Sequence, residues 1–124
     1  MNTLRVGIAS YEKVKERTRA IARGELRPGH RDPKVWFPST ESMARILSSK
    51  NQELLDVIRR TSPQSLTELA EATGRKKPNL SRTLKTMQRY GLVQVTHQSN
   101  GRLAPRVAYK RVELTMELGA RSGS

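Results

Sequence analysis

The apolar period of this chain changes at Gly91. Before it, Leu80, Leu84 and Met87 recur at the i, i+4, i+7 spacing of a helix with one buried stripe. After it, Val93 and Val95 alternate with Gln94 and Thr96, Asn100-Gly101 gives a strong hairpin signal, and Leu103, Pro105, Val107 and Tyr109 alternate on the return. A helix followed at once by a two-stranded hairpin is therefore expected, with Pro105 confining the return strand to an edge.

Turn and capping chemistry fill in the segment ahead of that helix. Ser65-Leu66-Thr67-Glu68 has the spacing of a capping box and opens a helix that buries Leu66, Leu69 and Ala70 and ends at Thr73-Gly74. Pro78 suits the first turn of the next helix, placed at 78–90. Upstream, Ser49 to Gln52 carries another capping-box spacing, Leu54, Leu55 and Ile58 form a stripe, and Ser62-Pro63 ends it; Ser39 caps a shorter helix with Met43, Ile46 and Leu47 on one face. Two helices joined by a short glycine-containing turn, the second followed by a hairpin, is the layout of a winged helix-turn-helix.

The N-terminal part reads differently. Leu4, Val6 and Ile8 alternate as a short strand, Tyr11 to Arg23 forms a charged helix, and Gly24 to Lys34 is a loop rich in Gly, Pro and charge. The expected fold is α+β, mainly α: a three-helix core plus a β-hairpin wing at 35–117, an N-terminal strand-helix extension at 1–34 for dimerisation or partner binding, and a disordered tail at 118–124. Val112, Leu114 and Met116 alternate once more, so a third strand can leave the wing and pair elsewhere, including with Leu4 to Ile8 of the same or another subunit. Trp36 and Phe37 are expected to pack on the three-helix unit or to join a subunit interface.

Charge narrows the function. The 124 residues carry a net charge of +13, and the ten basic residues from Arg75 to Arg111 are accompanied by no Asp or Glu. The excess falls on the helix and hairpin, which marks a nucleic-acid-binding surface. On a wheel of about 100° per residue, Leu84 and Met87 lie close to Leu80 while Arg82, Lys85 and Arg89 fall opposite. The absence of cysteine removes disulfides, thiolate catalysis and most structural zinc sites, and two histidines far apart in sequence give neither a metal site nor an acid-base pair. Glu68 and Glu71 are accounted for by a cap and a solvent face. No catalytic residues, metal or cofactor are expected, and the chain is not read as an enzyme. There is no apolar run long enough to span a bilayer, and no signal-peptide h-region at the N-terminus, so a cytoplasmic protein without membrane association is expected.

Asn79, Ser81 and Arg82 occupy the first turn and a half of the cationic helix, where such helices reach base edges. Arg82 and Asn79 are expected to read bases, with Arg donating to guanine N7 and O6 and Asn pairing with adenine. Lys77, Lys85 and Arg89 are expected to hold phosphates. Arg75 and Lys76 complete the basic turn ahead of the helix, and Arg102, beside Asn100-Gly101, sits where a wing tip can enter the minor groove.

Residues 39–109, above all SLTELAEATGRKKPNLSRTLKTMQRYGLV (Ser65 to Val93), resemble the winged helix-turn-helix regulators of prokaryotes near the MarR and ArsR groups. The chain is similar to small predicted transcriptional regulators, some antitoxin-like, that share Trp36-Phe37, Asn51 to Leu55 and Asn79-Leu80-Ser81-Arg82-Thr83-Leu84. The resemblance implies major-groove binding led by Ser81 and Arg82; Pro78 stands where many relatives carry serine, removing one phosphate-binding hydroxyl. The expectation is a sequence-specific regulator of transcription, a repressor, that binds double-stranded DNA as a homodimer. The alternatives are an antitoxin that holds a toxin through its N-terminal unit and represses its own promoter, and an RNA-binding winged-helix module.

Overall fold

A computed structural model describes residues 2–29 and 32–118, so His30 and all of the expected tail except Leu118 lie outside the described residues. The fold is α+β. Its elements run β1 (Thr3–Ile8), α1 (Tyr11–Ala22), β2 (Val35–Phe37), α2 (Thr40–Ile46), α3 (Ser49–Thr61), α4 (Leu66–Thr73), α5 (Lys77–Arg89), β3 (Val93–His97), β4 (Leu103–Val107) and β5 (Arg111–Thr115). None of the described helices is long and apolar enough to cross a membrane.

The chain divides into two compact units, but not at residue 34. The first holds residues 3–43 with the C-terminal segment from Arg111, and the second holds 44–110. The division moves because Val35–Phe37 is a strand: β2 pairs parallel with β1, setting Val6 beside Val35, Gly7 beside Trp36 and Ile8 beside Phe37. β5 pairs parallel on the other side of β1, from Thr3 beside Arg111 to Gly7 beside Thr115. The third alternating strand thus returns to Leu4–Ile8 of its own chain, in the sheet order β2-β1-β5.

This arrangement alters two expectations. Leu4 and Val6 are 2% and 0% exposed, Ile8 is half-buried, and β1 has a neighbour on each side, so Leu4, Val6 and the β1 backbone are engaged within the chain itself. Trp36 and Phe37 belong to the first unit, with Phe37 fully buried. Trp36 leans over Gly7, where a Cβ would meet the indole at 2.5 Å and Pro33 Cγ at 2.9 Å. The Arg17 guanidinium lies 5.7 Å from the Trp36 ring centre, in cation–π range. Asp32 then fixes Arg17 by an ion pair of 2.7 Å, while its Oδ2 also accepts the Gly29 N–H at 2.8 Å. Those two donors, the backbone N–H foremost, hold the Asp32 carboxyl below its ordinary range.

The second unit is three helices and a hairpin. Leu54, Ile58, Leu69, Leu80, Leu84, Met87, Leu92, Val93 and Ala104 are its buried apolar residues. α3 begins one residue earlier than the capping-box spacing suggests: Ser48, not Ser49, accepts the Asn51 N–H. Ser65 caps α4 by accepting the Glu68 N–H, but Glu68 turns its carboxylate to the Gln64 N–H, so the box is not reciprocal. Gly74 ends α4 at φ +74°, a left-handed C-cap that lets the chain turn into α5 within three residues.

The hairpin has the expected faces, with Val93 opposite Val107, Val95 opposite Pro105 and His97 opposite Leu103. Its tip is longer than a two-residue turn. Gln98 donates to the Arg102 carbonyl at 2.7 Å, Gly101 takes φ +81°, and the Asn100 side chain accepts the Arg102 N–H at 3.0 Å.

Candidate functional site

α5 is the centre of the candidate site. Leu80, Leu84 and Met87 are buried along one side, which fixes the helix's rotation and turns Arg82, Lys85 and Arg89 outward. Lys76, Lys77 and Asn79 are exposed at its start, Ser81 is half-buried, and Arg102 is exposed at the hairpin tip. α5 also begins without a side-chain cap, since Lys76 occupies the cap position and Pro78 the first turn. Its first N–H groups thus lack the intrahelical acceptors that later ones have, and the positive end of the helix dipole lies among lysines.

Among the described residues, the cations of α5 have no acidic partners. All five ion pairs among the described residues fall outside 75–111: Arg5–Glu113, Arg17–Asp32, Arg23–Glu25, Arg59–Asp56 and Arg60–Asp56. Like charges along one exposed face repel one another unless an anion is present, so the face is electrostatically prepared for a polyanion.

Arg75 takes a different part. It is half-buried, and its guanidinium donates to Asn51 Oδ1 at 3.1 Å and to the Lys50 carbonyl at 2.7 Å. Arg106, also in the basic stretch, donates to the Pro63 carbonyl at 2.7 Å and ties β4 to the turn before α4. These two residues hold the unit together, whereas Lys76, Lys77, Arg82, Lys85, Arg89 and Arg102 make no such tie among the described residues.

A groove of about 620 Å³ opens between the N-terminal ends of α3 and α5, lined by Ser48, Lys50, Asn51, Arg75, Lys76, Pro78, Asn79, Arg82 and Thr83. Lys50 belongs to this basic cluster and lies outside the stretch from Arg75 to Arg111. Its signal in sequence was slight, a single lysine two residues past Ser48 in a segment whose charges nearly balance. Only the packing of α3 beside the start of α5 brings it to Lys76 and Arg82.

The family model HVO_A0114 matches residues 46–114, more than half of the chain and nearly all of the second unit. The chain belongs to the HVO_A0114 family. Its match covers α3 to α5, the hairpin and most of β5, so the candidate site lies within the part shared with the family. No curated protein and no solved structure gives a significant match to the chain.

Proposed function

We propose that this member of the HVO_A0114 family is a winged helix-turn-helix protein that binds double-stranded DNA and regulates transcription. The observation that carries the reading is the row of unpaired cations on α5: Arg82, Lys85 and Arg89 face outward from a helix anchored by Leu80, Leu84 and Met87. α4, a three-residue turn and α5 supply the helix-turn-helix, and β3–β4 the wing. α5 enters the major groove with Asn79 and Arg82 at base edges, Ser81 beside them, and Lys77, Lys85 and Arg89 on phosphates. Lys76 and Lys50 extend the phosphate contacts along the groove between α3 and α5, and Arg102 follows the wing tip into the minor groove. Arg75 lines the same groove and holds the α4–α5 turn to α3.

Selection from a random duplex pool tests the proposal, followed by titration of the enriched sequence at several salt concentrations. If roughly four to eight phosphates are neutralised, the logarithm of affinity falls with the logarithm of salt at a slope of about −4 to −7. Enrichment of a defined sequence with such a slope supports a regulator. Binding with the slope but without enrichment favours a sequence-independent duplex binder, and the absence of binding at low salt overturns the reading.

A further inference from the structure

β5 is the strand whose environment least matches its side chains. Val112 and Leu114 stand in register beside the buried Leu4 and Val6, on the same face of the sheet, yet they are 36% and 40% exposed, and Met116 just beyond is 46% exposed. The apolar row of the sheet runs off its edge. β5 is the last strand in the order β2-β1-β5, so one side of its backbone has no strand partner among the described residues. An open edge with apolar side chains and without proline is a template for another strand.

We propose that this edge is a self-association surface, on which β5 of a second copy pairs antiparallel to give a continuous six-stranded sheet. The sequence Arg111-Val112-Glu113-Leu114-Thr115-Met116-Glu117 is complementary to itself when pairing is centred on Leu114. Val112 then faces Met116 of the partner subunit, Leu114 faces Leu114 of the partner subunit, and Arg111 faces Glu117 of the partner subunit. The two-fold axis repeats each contact. Moving the centre to Glu113 keeps the apolar face continuous but sets Glu113 against Glu113 of the partner subunit, and like charges directly opposite are destabilising. Within the chain, Glu113 is already engaged by Arg5 at 3.4 Å, whereas Arg111 and Glu117 belong to none of the ion pairs among the described residues. Charge and apolar pattern thus select one register and one occupant, a second copy of this chain. The surface is formed by residues of the first unit, and the proposed DNA contact by residues of the second.

Sedimentation equilibrium of the full chain without nucleic acid, over about 5 to 500 µM, tests this, because two edge strands make an interface at the small end of the range and a concentration-dependent dimer. The mass rises from 14.0 kDa towards twice that value. Arg111→Glu weakens association by roughly tenfold, and adding Glu117→Arg in the same chain restores it, as expected for cross-strand charge pairs. Since the chain has no cysteine, Leu114→Cys gives a clean second measurement: mild oxidation links it to a dimer, whereas Arg111→Cys stays unlinked. A mass of 14.0 kDa at every concentration, failure of the double reversal to restore association, or equal cross-linking at both positions overturns the proposal. Thermal melts of each variant show that the sheet is intact.

Discussion

Arg75 reaches across to α3 and places one guanidinium nitrogen 3.1 Å from Asn51 Oδ1 and another 2.7 Å from the Lys50 carbonyl. Asn51 is the hub of this contact. Its side-chain amide nitrogen donates to the Ile46 carbonyl at 3.0 Å and its backbone N–H to Ser48 Oγ at 3.2 Å, so the side chain joins the end of α2 to the turn into α5 while the backbone takes the cap of α3. The proposed docking through α5 needs the start of that helix held still, and these hydrogen bonds tie the turn ahead of it to α3.

Asn51→Ala is expected to destabilise the protein by about 1–3 kcal/mol, since it leaves half-buried donors and acceptors without partners. Arg75→Ala costs a similar amount, and the double variant costs less than the sum because both remove the same bond. Chemical denaturation of the four proteins measures this. Additive losses would show that the two side chains act independently.

Gly7→Ala is expected to destabilise the N-terminal sheet by about 1–3 kcal/mol, the usual range for overpacking. The new methyl would meet the Trp36 ring and Pro33 at distances no packed atom tolerates, and moving the indole disturbs its contact with Arg17. A melt followed by Trp36 fluorescence, the single tryptophan of the chain, reads this unit directly. An unchanged melting temperature would mean that the ring moves aside without cost.

Much of the second unit was legible because its signals are local. Leu80, Leu84 and Met87 carry the helical period, Gly74 the left-handed cap, and Val93 to Val107 the alternation, and each needs only its neighbours in sequence. What escaped was set by distant residues. Val35–Phe37 is three residues long, too short for any period, and is a strand only because β1 lies beside it. The placement of Lys50 near Arg82, and the turning inward of Arg75, likewise depend on how α3 packs against the start of α5. Charge counting groups Arg75 with its neighbours, but it does not show that the Arg75 guanidinium also ties α3 to the turn ahead of α5.

Asp32 makes stability depend on acidity. Its carboxyl is held below the ordinary value of 3.8 by the Gly29 N–H and the Arg17 guanidinium. A folded-state value lower than the unfolded one gives stability that is fully present above the unfolded value and is lost as the pH falls through the folded value. Asp32→Asn should therefore melt below the unchanged protein at pH 7, and the gap should close as the pH falls below 3.8 and through the lower folded-state value. A gap independent of pH would assign the effect to lost hydrogen-bond geometry instead of charge.

Arg82 and Lys85 occupy neighbouring places on the outer face of α5, but the proposed docking gives them different work. Arg82 lines the groove at the helix start, near Asn79, where a planar fork of donors meets a guanine edge. Arg82→Ala should cost about 1–3 kcal/mol on the selected sequence and relax the preference at one base pair. Lys85 lies one turn further along and is assigned to phosphate. Lys85→Ala should weaken selected and random duplexes by similar factors and lower the salt slope by about one, because a phosphate contact carries no sequence information. Neither side chain bears on Leu80, Leu84 or Met87, so the melting temperatures should stay unchanged. Binding of both duplexes by both variants, at two salt concentrations, separates these roles. If Arg82→Ala keeps its preference for the selected sequence while remaining folded, α5 is docked in some other way and the assignment of its base readers fails.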